Sequence, residues 1–572
     1  MDLKEVKETD IWQLYEQCRN YARMIGIYND TDKNFRFFNG NQWEGLKVKG
    51  IEPVQLNFIR PIVRYKVGTI NQNLWQIHFS SENYENKEFS LKAKKVCDLL
   101  NKKANKIWEK DEMDYKIWEI SKNAAVNDEA PFYIYYDKDL GMPVGEVLAK
   151  NDVYYGNEND SIIENQPYIL VKQRKSVIEI QEIAKRAGVD EEDLKLIVGD
   201  NDNIEEAGDA AKYEKDNMCT MVTKFYKENG TVHYSRATRY VVIKEDTDSK
   251  LSFYPNPHML WEGKEGSARG EGEVRNLIPN QIEVNKTLMR RALVAKNTAY
   301  PQKVVHIDKI QNPKAINEVG GLIKVTGQNV DDIRKVFEVT QPAQMSTDVE
   351  KLQQDLINTS RALAGASDAT TGDVQPDQAS GKAILAVQNA SKLPLVEQLS
   401  NLKRFIEAIA RIWLDMIIVY NPNGLKLEEE VEDPVTKEKY IQLVEVEASI
   451  LEELKASVKV DITPKGTYDK YAQELSLENL LKQGFFSPQK IGELKTYVKA
   501  LPDDSTMPKQ ILQEIIEEQE QEQQKIAQIQ AQAQAMMQRA SAFINSDIDT
   551  QAQQMSDAEQ INQMYMSNQQ SY

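Results

Sequence analysis

Residues 271–301 have the sequence EGEVRNLIPNQIEVNKTLMRRALVAKNTAYP, and the glycine-rich segment GKEGSARG precedes them at 263–270. Proline fits the first turn of a helix, where its missing N–H costs nothing, so we predict a helix from Pro279 to Ala299, before Pro301. Such a helix spans roughly 32 Å at about 1.5 Å per residue. Its apolar residues form two stripes at helical spacing, one of large side chains and one rich in alanine. The pattern suits a helix with a neighbour on each side, although a core helix of a single domain shows the same periodicity.

Polar residues interrupt the apolar surface of this helix at Gln281 and Asn285, and its second half is basic. The basic residues are Lys286, Arg290, Arg291 and Lys296. Because Glu283 is the last acidic residue before Pro301, these four cations cannot all be paired within the helix. Some of them must therefore have partners outside it.

A small insert and a second helix follow. Residues 301–345 contain three strand-like runs, KVVHI, LIKVT and KVFEV, with a short helical AINEVGG between the first two. The next helix, at 346–364, begins with Thr347 and Glu350 at the spacing of a capping box. A helix leading out and a helix leading back therefore bracket the insert.

Residues 365–380 contain no large apolar side chain except Val374, so we predict a loop there. A structureless stretch of this length inside a folded chain is more often functional than an average loop, and a surface loop without a function is the alternative. From 381 to 420 we predict one long helix with a kink at Pro394.

The two ends of the chain differ in composition. Residues 1–265 mix helical periodicity with strand-like runs such as FYIYY at 132–136. Residues 421–505 contain a strand followed by helices, and residues 506–572 are rich in glutamine. The glutamine-rich stretch favours a helix that bundles in an assembly, whereas in a monomer its last part would be disordered.

Charge and hydropathy argue against several classes of protein. The 572 residues carry a net charge of −18, which argues against a broad basic surface that grips nucleic acid. The most apolar run, FIEAIARIWLDMIIVY at 405–420, carries charged residues at four-residue steps and so predicts an amphipathic helix instead of a membrane span. The charged N-terminus predicts no signal peptide, and Cys18, Cys97 and Cys219 are expected to be reduced thiols.

Motifs for catalysis or metal binding are missing from the sequence. GDVQPDQASGKA ends in Gly-Lys, but its glycines are too far apart for a phosphate loop, and alanine replaces the metal-binding hydroxyl. GSARGEG does not match GxGxxG, no serine lies in a GxSxG elbow, and the four histidines are scattered. We therefore predict that the protein is not an enzyme and that it needs no cofactor and no metal ion.

Four motifs, in this order, resemble those of the portal proteins of tailed bacteriophages, especially the larger portals of short-tailed phages. FFNGNQWEG followed by VQLNFIRPIVRYKVGTINQN resembles their N-terminal signature. GEGEVRNLIPNQIEVNKTLMRRA resembles the glycine-rich entry to the first stem helix, whose Q-x-x-x-N signature is Gln281 and Asn285 here. DQASGKAILAVQNAS resembles the start of the helix after the tunnel loop, and VDITPKGTYDKYAQELSLENLLKQG the segment beyond it. Together the motifs span most of residues 35–500.

The resemblance implies an α+β fold, mainly helical, with portal-type wing, stem, clip and crown architecture assembled as a ring, usually of twelve subunits. The parts would be 1–265 as a wing of mixed α/β structure, 266–300 as the first stem helix, 301–345 as the clip, 346–364 as the second stem helix, 365–380 as the tunnel loop, 381–420 as a long kinked helix behind that loop, 421–505 as the crown, and 506–572 as a Gln-rich helical tail, partly disordered or forming a barrel.

The resemblance also implies a function. Such a ring sits at one capsid vertex of the virion, after assembly in the host cytoplasm, and forms the channel for packaging and ejection of double-stranded DNA without sequence specificity. Its partners would be the terminase large subunit, then head-completion or tail adaptor proteins, and the major capsid and scaffolding proteins, with no membrane. The tunnel-loop residues expected to face DNA are Asp368, Thr370, Thr371, Asp373, Gln375 and Asp377. The four stem cations would contact either the channel or a neighbouring subunit.

Two other functions remain open on the sequence. One is a different ring-forming structural component of the virion, such as a scaffold or tail ring, which the Gln-rich helix would also suit. The other is a metal-dependent nuclease with dispersed carboxylates.

Overall fold

The structure of the chain is a computed structural model. It describes residues 7–43, 52–80, 87–200, 217–299, 303–318, 322–327, 332, 336–339, 347–363, 393–432, 439–446, 459–466, 476–483, 485–486, 491–501, 509–544, 561–563 and 566. The chain divides into two compact units, Met1–Pro464 and Lys465–Tyr572.

Helices form the N-terminal part of the first unit. They are α1 (Asp10–Met24), α2 (Ile27–Asn39), α3 (Ile59–Ile70), α4 (Lys87–Lys110) and α5 (Met113–Asn127), with strand β1 (Asn73–Ser80) between α3 and α4. Thr9 caps α1, because its hydroxyl accepts a hydrogen bond from the Trp12 amide at 3.3 Å. Gly26 separates α1 from α2 with a φ of 83°, a left-handed conformation that glycine adopts without strain.

Two antiparallel sheets follow these helices in the chain. The first has the order β3–β2–β9, with β2 (Glu129–Asp137), β3 (Met142–Val147) and β9 (His258–Leu260). The second has the order β4–β5–β6–β7–β8, with β4 (Val153–Tyr155), β5 (Ile169–Ser176), β6 (Met218–Glu228), β7 (Thr231–Ala237) and β8 (Val242–Leu251). Helices α6 (Val177–Ala187) and α7 (Glu191–Leu194) connect β5 to β6. The strand predicted at 132–136 lies within β2.

The helix–insert–helix segment follows the sheets. It consists of α8 (Glu273–Ala299), the short antiparallel strands β10 (Lys303–Val305) and β11 (Phe337–Val339), and α9 (Thr347–Leu363). In the register of these two strands Lys303 lies opposite Val339, so the two ends of the insert meet. Helices α8 and α9 contact each other directly.

Helix α10 (Val396–Val419) fills the core of the first unit. Trp413 is fully buried and meets Trp108 of α4 edge to face, with ring centroids 6.3 Å apart. The helix departs from the predicted amphipathic pattern at one of its charged positions, because Asp415 is buried and its Oδ2 accepts a hydrogen bond from the Ser252 amide at 2.6 Å. In the part of the chain that is described, no helix is both long enough and apolar enough to cross a membrane. The predicted kink at Pro394 lies in a 3-10 turn before α10, and residues 381–392 lie outside the described residues.

Strands and helices of the C-terminal part complete the fold. Strands β12 (Leu425–Glu432) and β13 (Lys439–Val446) pair with each other, and β14 (Lys459–Gly466) pairs with β1. In the second unit, α11 (Ile491–Ala500) packs against the Gln-rich helix α12 (Lys509–Ile544) around Tyr497, Val498 and Ile516. The fold therefore mixes helices and strands, as the predicted α+β class requires.

Candidate functional site

Gln281 and Asn285 lie one turn apart on α8, and both are buried, with 0% and 3% of their surfaces exposed. Gln281 Nε2 donates a hydrogen bond to Asn285 Oδ1 at 3.0 Å. Burying an amide is costly unless its remaining polar atoms also have partners. The pair is therefore a polar centre within the core, where the sequence suggested only an interruption of an apolar surface.

The backbone just before α3 supplies these partners. The Phe58 amide donates to Gln281 Oε1 at 3.1 Å, and Gln281 Nε2 donates to the Leu56 carbonyl at 2.8 Å. The Leu56 amide donates to Asn285 Oδ1 at 3.2 Å. Two side-chain amides of α8 thus satisfy a stretch of backbone that belongs to no strand.

Gln42 completes this amide network. Asn285 Nδ2 donates to Gln42 Oε1 at 2.5 Å, and Gln42 Nε2 donates to the Phe37 carbonyl at 2.9 Å. The motifs FFNGNQWEG, VQLNF and Q-x-x-x-N therefore meet in space, although their bonded residues lie 223 to 243 positions apart. No pattern in the sequence predicts this role for Gln42. An uncharged amide within an aromatic motif is the signal that could have identified it.

Buried ion pairs hold the glycine-rich loop before α8. Arg269 Nη1 lies 2.5 Å from Glu129 Oε1, and its Nη2 lies 2.9 Å from Glu158 Oε1. The guanidinium also lies over the ring of Tyr155, 4.7 Å from its centroid. Burial raises the pKa of the Glu129 carboxyl, although Arg269 beside it acts in the opposite direction. Removing Arg269 would leave the buried Glu129 carboxylate without its ion-pair partner, so this arginine fixes the loop.

Close backbone packing explains the last two glycines of GSARGEG, Gly270 and Gly272. The Gly272 amide donates to Asp128 Oδ1 at 2.8 Å, and Asp128 Oδ2 lies 2.5 Å from Lys150 Nζ. A Cβ at Gly270 would lie 2.7 Å from the Asp128 carbonyl oxygen, and one at Gly272 would lie 2.9 Å from the Asp128 nitrogen. Only glycine allows this approach. The loop therefore positions the start of α8 against the end of α5.

The predicted start of this helix is wrong. Helix α8 begins at Glu273, six residues before Pro279, which lies within the helix. Pro279 removes one backbone hydrogen bond, but the added residues offset this cost. Leu277 and Ile278 are buried, and Glu273 forms a buried ion pair with Lys66 at 2.6 Å. Tertiary packing thus extends the helix beyond the position that the proline rule gives.

The basic residues of α8 have contacts within the chain. Lys286 Nζ lies 3.5 Å from Glu283 Oε2, and Arg290 Nη1 lies 3.2 Å from Glu283 Oε1. Arg291 Nη1 donates to Gln353 Oε1 of α9 at 3.0 Å, and Lys296 also has a partner. The side chains of Lys286 and Arg290 nevertheless remain 52% and 60% exposed. The Glu283 carboxylate therefore pairs with two cations that are largely exposed to solvent, and a residue of α9 accepts a hydrogen bond from a third cation.

The predicted tunnel-loop residues Asp368, Thr370, Thr371, Asp373, Gln375 and Asp377 lie outside the described residues. Among the residues that the structure does describe, no group of histidine, cysteine, aspartate or glutamate side chains is arranged to hold a metal ion. The three cysteines form no disulfide.

Comparison with known proteins gave one family. The model of this family, described as "Phage P22-like portal protein", matches residues 144–568, which is most of the chain and includes α8, the insert, α9 and α10. No curated protein matches the sequence.

Proposed function

The chain belongs to the phage P22-like portal protein family, and from this membership we propose that twelve copies assemble into a ring at one vertex of the capsid. The axial channel of the ring admits double-stranded DNA during packaging and releases it during ejection. The family match over residues 144–568 is the observation that carries this proposal. The helix–insert–helix arrangement of α8, β10, β11 and α9 supports it.

Within this ring each segment has a part. Residues 1–265 form the wing, 266–300 and 346–364 the two stem helices, and 301–345 the clip. Residues 365–380 form the tunnel loop and 381–420 the helix behind it. Residues 421–505 form the crown, and the Gln-rich tail at 506–572 bundles with its copies, as the length of α12 allows.

The channel touches DNA weakly. Each lysine or arginine that contacts a phosphate adds affinity through counterion release, and in a sliding channel this affinity acts as a brake. Asp368, Asp373 and Asp377 give each tunnel loop three negative charges, so twelve loops place about three dozen carboxylates around the axis. These charges repel DNA and keep it centred, while Thr370, Thr371 and Gln375 make transient hydrogen bonds to phosphates.

The ring does not power packaging itself. Portal proteins are a structural family, and the energy comes from a separate terminase, whose large subunit docks on the clip. Head-completion or tail adaptor proteins occupy this position later. The major capsid and scaffolding proteins are further partners during assembly in the host cytoplasm.

Negative-stain electron microscopy of the purified protein tests the proposal. We expect class averages with a twelve-fold ring and a central hole. A monomer that cleaves DNA in the presence of magnesium would instead identify a nuclease. A ring without a channel wide enough for duplex DNA would identify another structural component of the virion.

A further inference from the structure

A cleft of about 520 Å³ opens between the five-stranded sheet, the β2–β3 hairpin and the end of α6. Its volume falls in the range of roughly 300–1,000 Å³ that is typical of ligand sites. Five tyrosines line it, namely Tyr133, Tyr135, Tyr136, Tyr234 and Tyr420. Tyr136 and Tyr420 stack with their ring centroids 4.5 Å apart. Tyr135 and Tyr420 remain 39% and 38% exposed, so the cleft presents aromatic surface to solvent.

The charges in this tyrosine-lined cleft are mostly positive. Its cations are Lys138, Lys175, Arg186, Arg236 and Lys244. Among the described residues that line it, Glu146 is the one carboxylate, and it accepts a hydrogen bond from the neutral Gln173 amide at 2.7 Å. In a chain with a net charge of −18, a cleft with this excess of cations is a local reversal of the overall charge.

Two of these cations face each other across neighbouring strands. Arg236 of β7 lies directly opposite Lys244 of β8, between two irregularities in the register of these strands. Like charges in this position destabilise a sheet. Arg236 Nε donates to the Thr223 hydroxyl at 3.1 Å, but in the part of the chain that is described no carboxylate pairs with Arg236 or Lys244. Both side chains are half-buried. Within the described residues the two cations therefore have no anion paired with them.

We propose that this cleft binds an acidic peptide segment of a partner protein, with carboxylates at Arg236 and Lys244 and an apolar side chain against the tyrosines. Tyrosine and arginine are the residues on which protein interfaces most often depend for affinity. The proposal concerns a surface of the five-stranded sheet and does not depend on ring formation.

A phosphate-bearing ligand fits the cleft less well. Arg186 and Ala187 of the lining are the last residues of α6, and a helix C-terminus carries a partial negative charge. Glu146 adds a full negative charge, so the cleft favours a ligand that carries N–H donors as well as anions, as a peptide backbone does and a phosphodiester backbone does not. Tyr136 and Tyr420 stack on each other, so a nucleotide base cannot insert between these two rings. The C-terminal carbonyl groups of α6 can instead accept hydrogen bonds from peptide amides.

Fluorescence anisotropy of the full-length protein tests the proposal, with a fluorescein-labelled peptide Ac-EEFEEL as the probe. We expect saturable binding that weakens as salt is raised. The double variant Arg236→Gln with Lys244→Gln should lose at least tenfold in affinity. Glu146→Gln should bind several-fold more tightly, because it removes the carboxylate from the cleft. The control variant Lys185→Gln with Lys264→Gln changes the net charge equally at exposed positions outside the lining and should bind like the unmodified protein.

Three results would overturn the proposal: no binding by the unmodified protein, an equal loss in the control variant, or an unlabelled oligonucleotide of the same charge that competes as well as the unlabelled peptide. Thermal unfolding of the Arg236→Gln, Lys244→Gln variant distinguishes loss of the site from loss of the fold. We expect an unchanged or higher midpoint, since the like-charge pair is removed. If this variant unfolds at a lower temperature, the test rests on Glu146→Gln: tighter peptide binding by that variant supports the proposal, and unchanged binding contradicts it.

Discussion

At the scale of single residues, the buried amides of Gln281 and Asn285 matter more than the charged residues beside them. They hold backbone groups at Leu56 and Phe58 that lie outside any strand, and the bond to the Phe58 amide is fully buried. The net contribution of a hydrogen bond to the free energy of unfolding is only about 1 kcal/mol, whereas a buried donor left without an acceptor costs about 1–3 kcal/mol. The cost of losing these side chains therefore comes mainly from the buried polar groups that are left without a hydrogen-bond partner.

Gln281→Ala should lower the free energy of unfolding by about 2–4 kcal/mol, because the Phe58 amide and the Leu56 carbonyl lose their partner and a small cavity forms. Urea denaturation followed by tryptophan fluorescence measures the change. Asn297→Ala, an exposed amide on the same helix, is the matched control and should shift stability by less than about 0.5 kcal/mol. Equal effects of the two substitutions would show that the network contributes nothing particular.

Replacing Lys286 and Arg290 with alanine should weaken ring closure. Both share the single carboxylate of Glu283 and remain more than half exposed, so each retains charge for the surface of a neighbouring copy, which is acidic on average. Analytical ultracentrifugation measures the fraction of rings. The charge-conserving swap Lys286→Arg with Arg290→Lys should keep it. If the alanine variant forms normal rings but DNA slips or stalls during packaging, the two cations face the channel instead.

His258 should make stability depend on pH. Burial lowers the pKa of its imidazole to about 4, and the nearby Arg269 and Arg404 act in the same direction. The unfolded imidazole, with a pKa of 6.5, takes up a proton first, so the free energy of unfolding falls as the pH drops from about 6.5 to about 4. Between pH 7.5 and 5 we expect a loss of about 2 kcal/mol that His258→Phe removes. His306→Phe, an exposed site, should leave the loss in place, and an unchanged pH profile in His258→Phe would contradict this assignment.

At the scale of secondary-structure elements, the insert is closed at its base. Strands β10 and β11 pair Lys303 with Val339 and Val305 with Phe337, so the chain leaves and returns at one place. An element closed in this way can be shortened without moving the helices that flank it. The halves of α8 and α9 nearer the insert are also joined directly, for example by the hydrogen bond from Arg291 Nη1 to Gln353 Oε1 at 3.0 Å.

Deleting residues 310–335 should therefore leave ring assembly intact or only loosened, while it abolishes docking of the terminase. Size-exclusion chromatography measures the first effect, and co-purification with the terminase large subunit measures the second. Loss of soluble protein would contradict the prediction, because it would make the insert part of the core.

Periodicity and turn chemistry predict the existence of these elements but not their limits. The sequence predicts the helix at α8, the strand within β2 and the insert between two helices, because each depends on local pattern. It misses the start of α8, since Glu273 and Leu277 are held by residues far away in the chain. It also misses the role of Arg269, because nothing local shows that Glu129 and Glu158 will surround it. Long-range pairs of this kind leave no periodic signal.

At the scale of the whole molecule, charge and the family match point to the same kind of protein. A net charge of −18 disfavours tight binding of nucleic acid, and the portal family is structural. Local cations, on α8 and in the tyrosine-lined cleft, are exceptions to an acidic surface. The DNA channel that we propose needs this balance, because overall repulsion keeps DNA mobile while a few cations adjust the contact.

The purified protein should hydrolyse no ATP and cut no DNA. The sequence has no phosphate loop, and the described residues include no metal-binding cluster. Phosphate release and a plasmid-nicking assay with magnesium measure the two activities. Turnover that co-purifies with the protein and disappears when one of its own carboxylates is replaced would contradict the prediction.

The amide network has one more consequence, which concerns the order in which the chain is made. Gln42 and Asn285 are bonded partners 243 residues apart. At a synthesis rate of about 5–20 residues per second, the N-terminal aromatic segment waits roughly 10–50 s on the ribosome before its partners emerge. During this interval Phe37, Phe38 and Phe58 lack the helix that later covers them. We therefore expect the newly made N-terminal segment to need a chaperone until α8 has been synthesised.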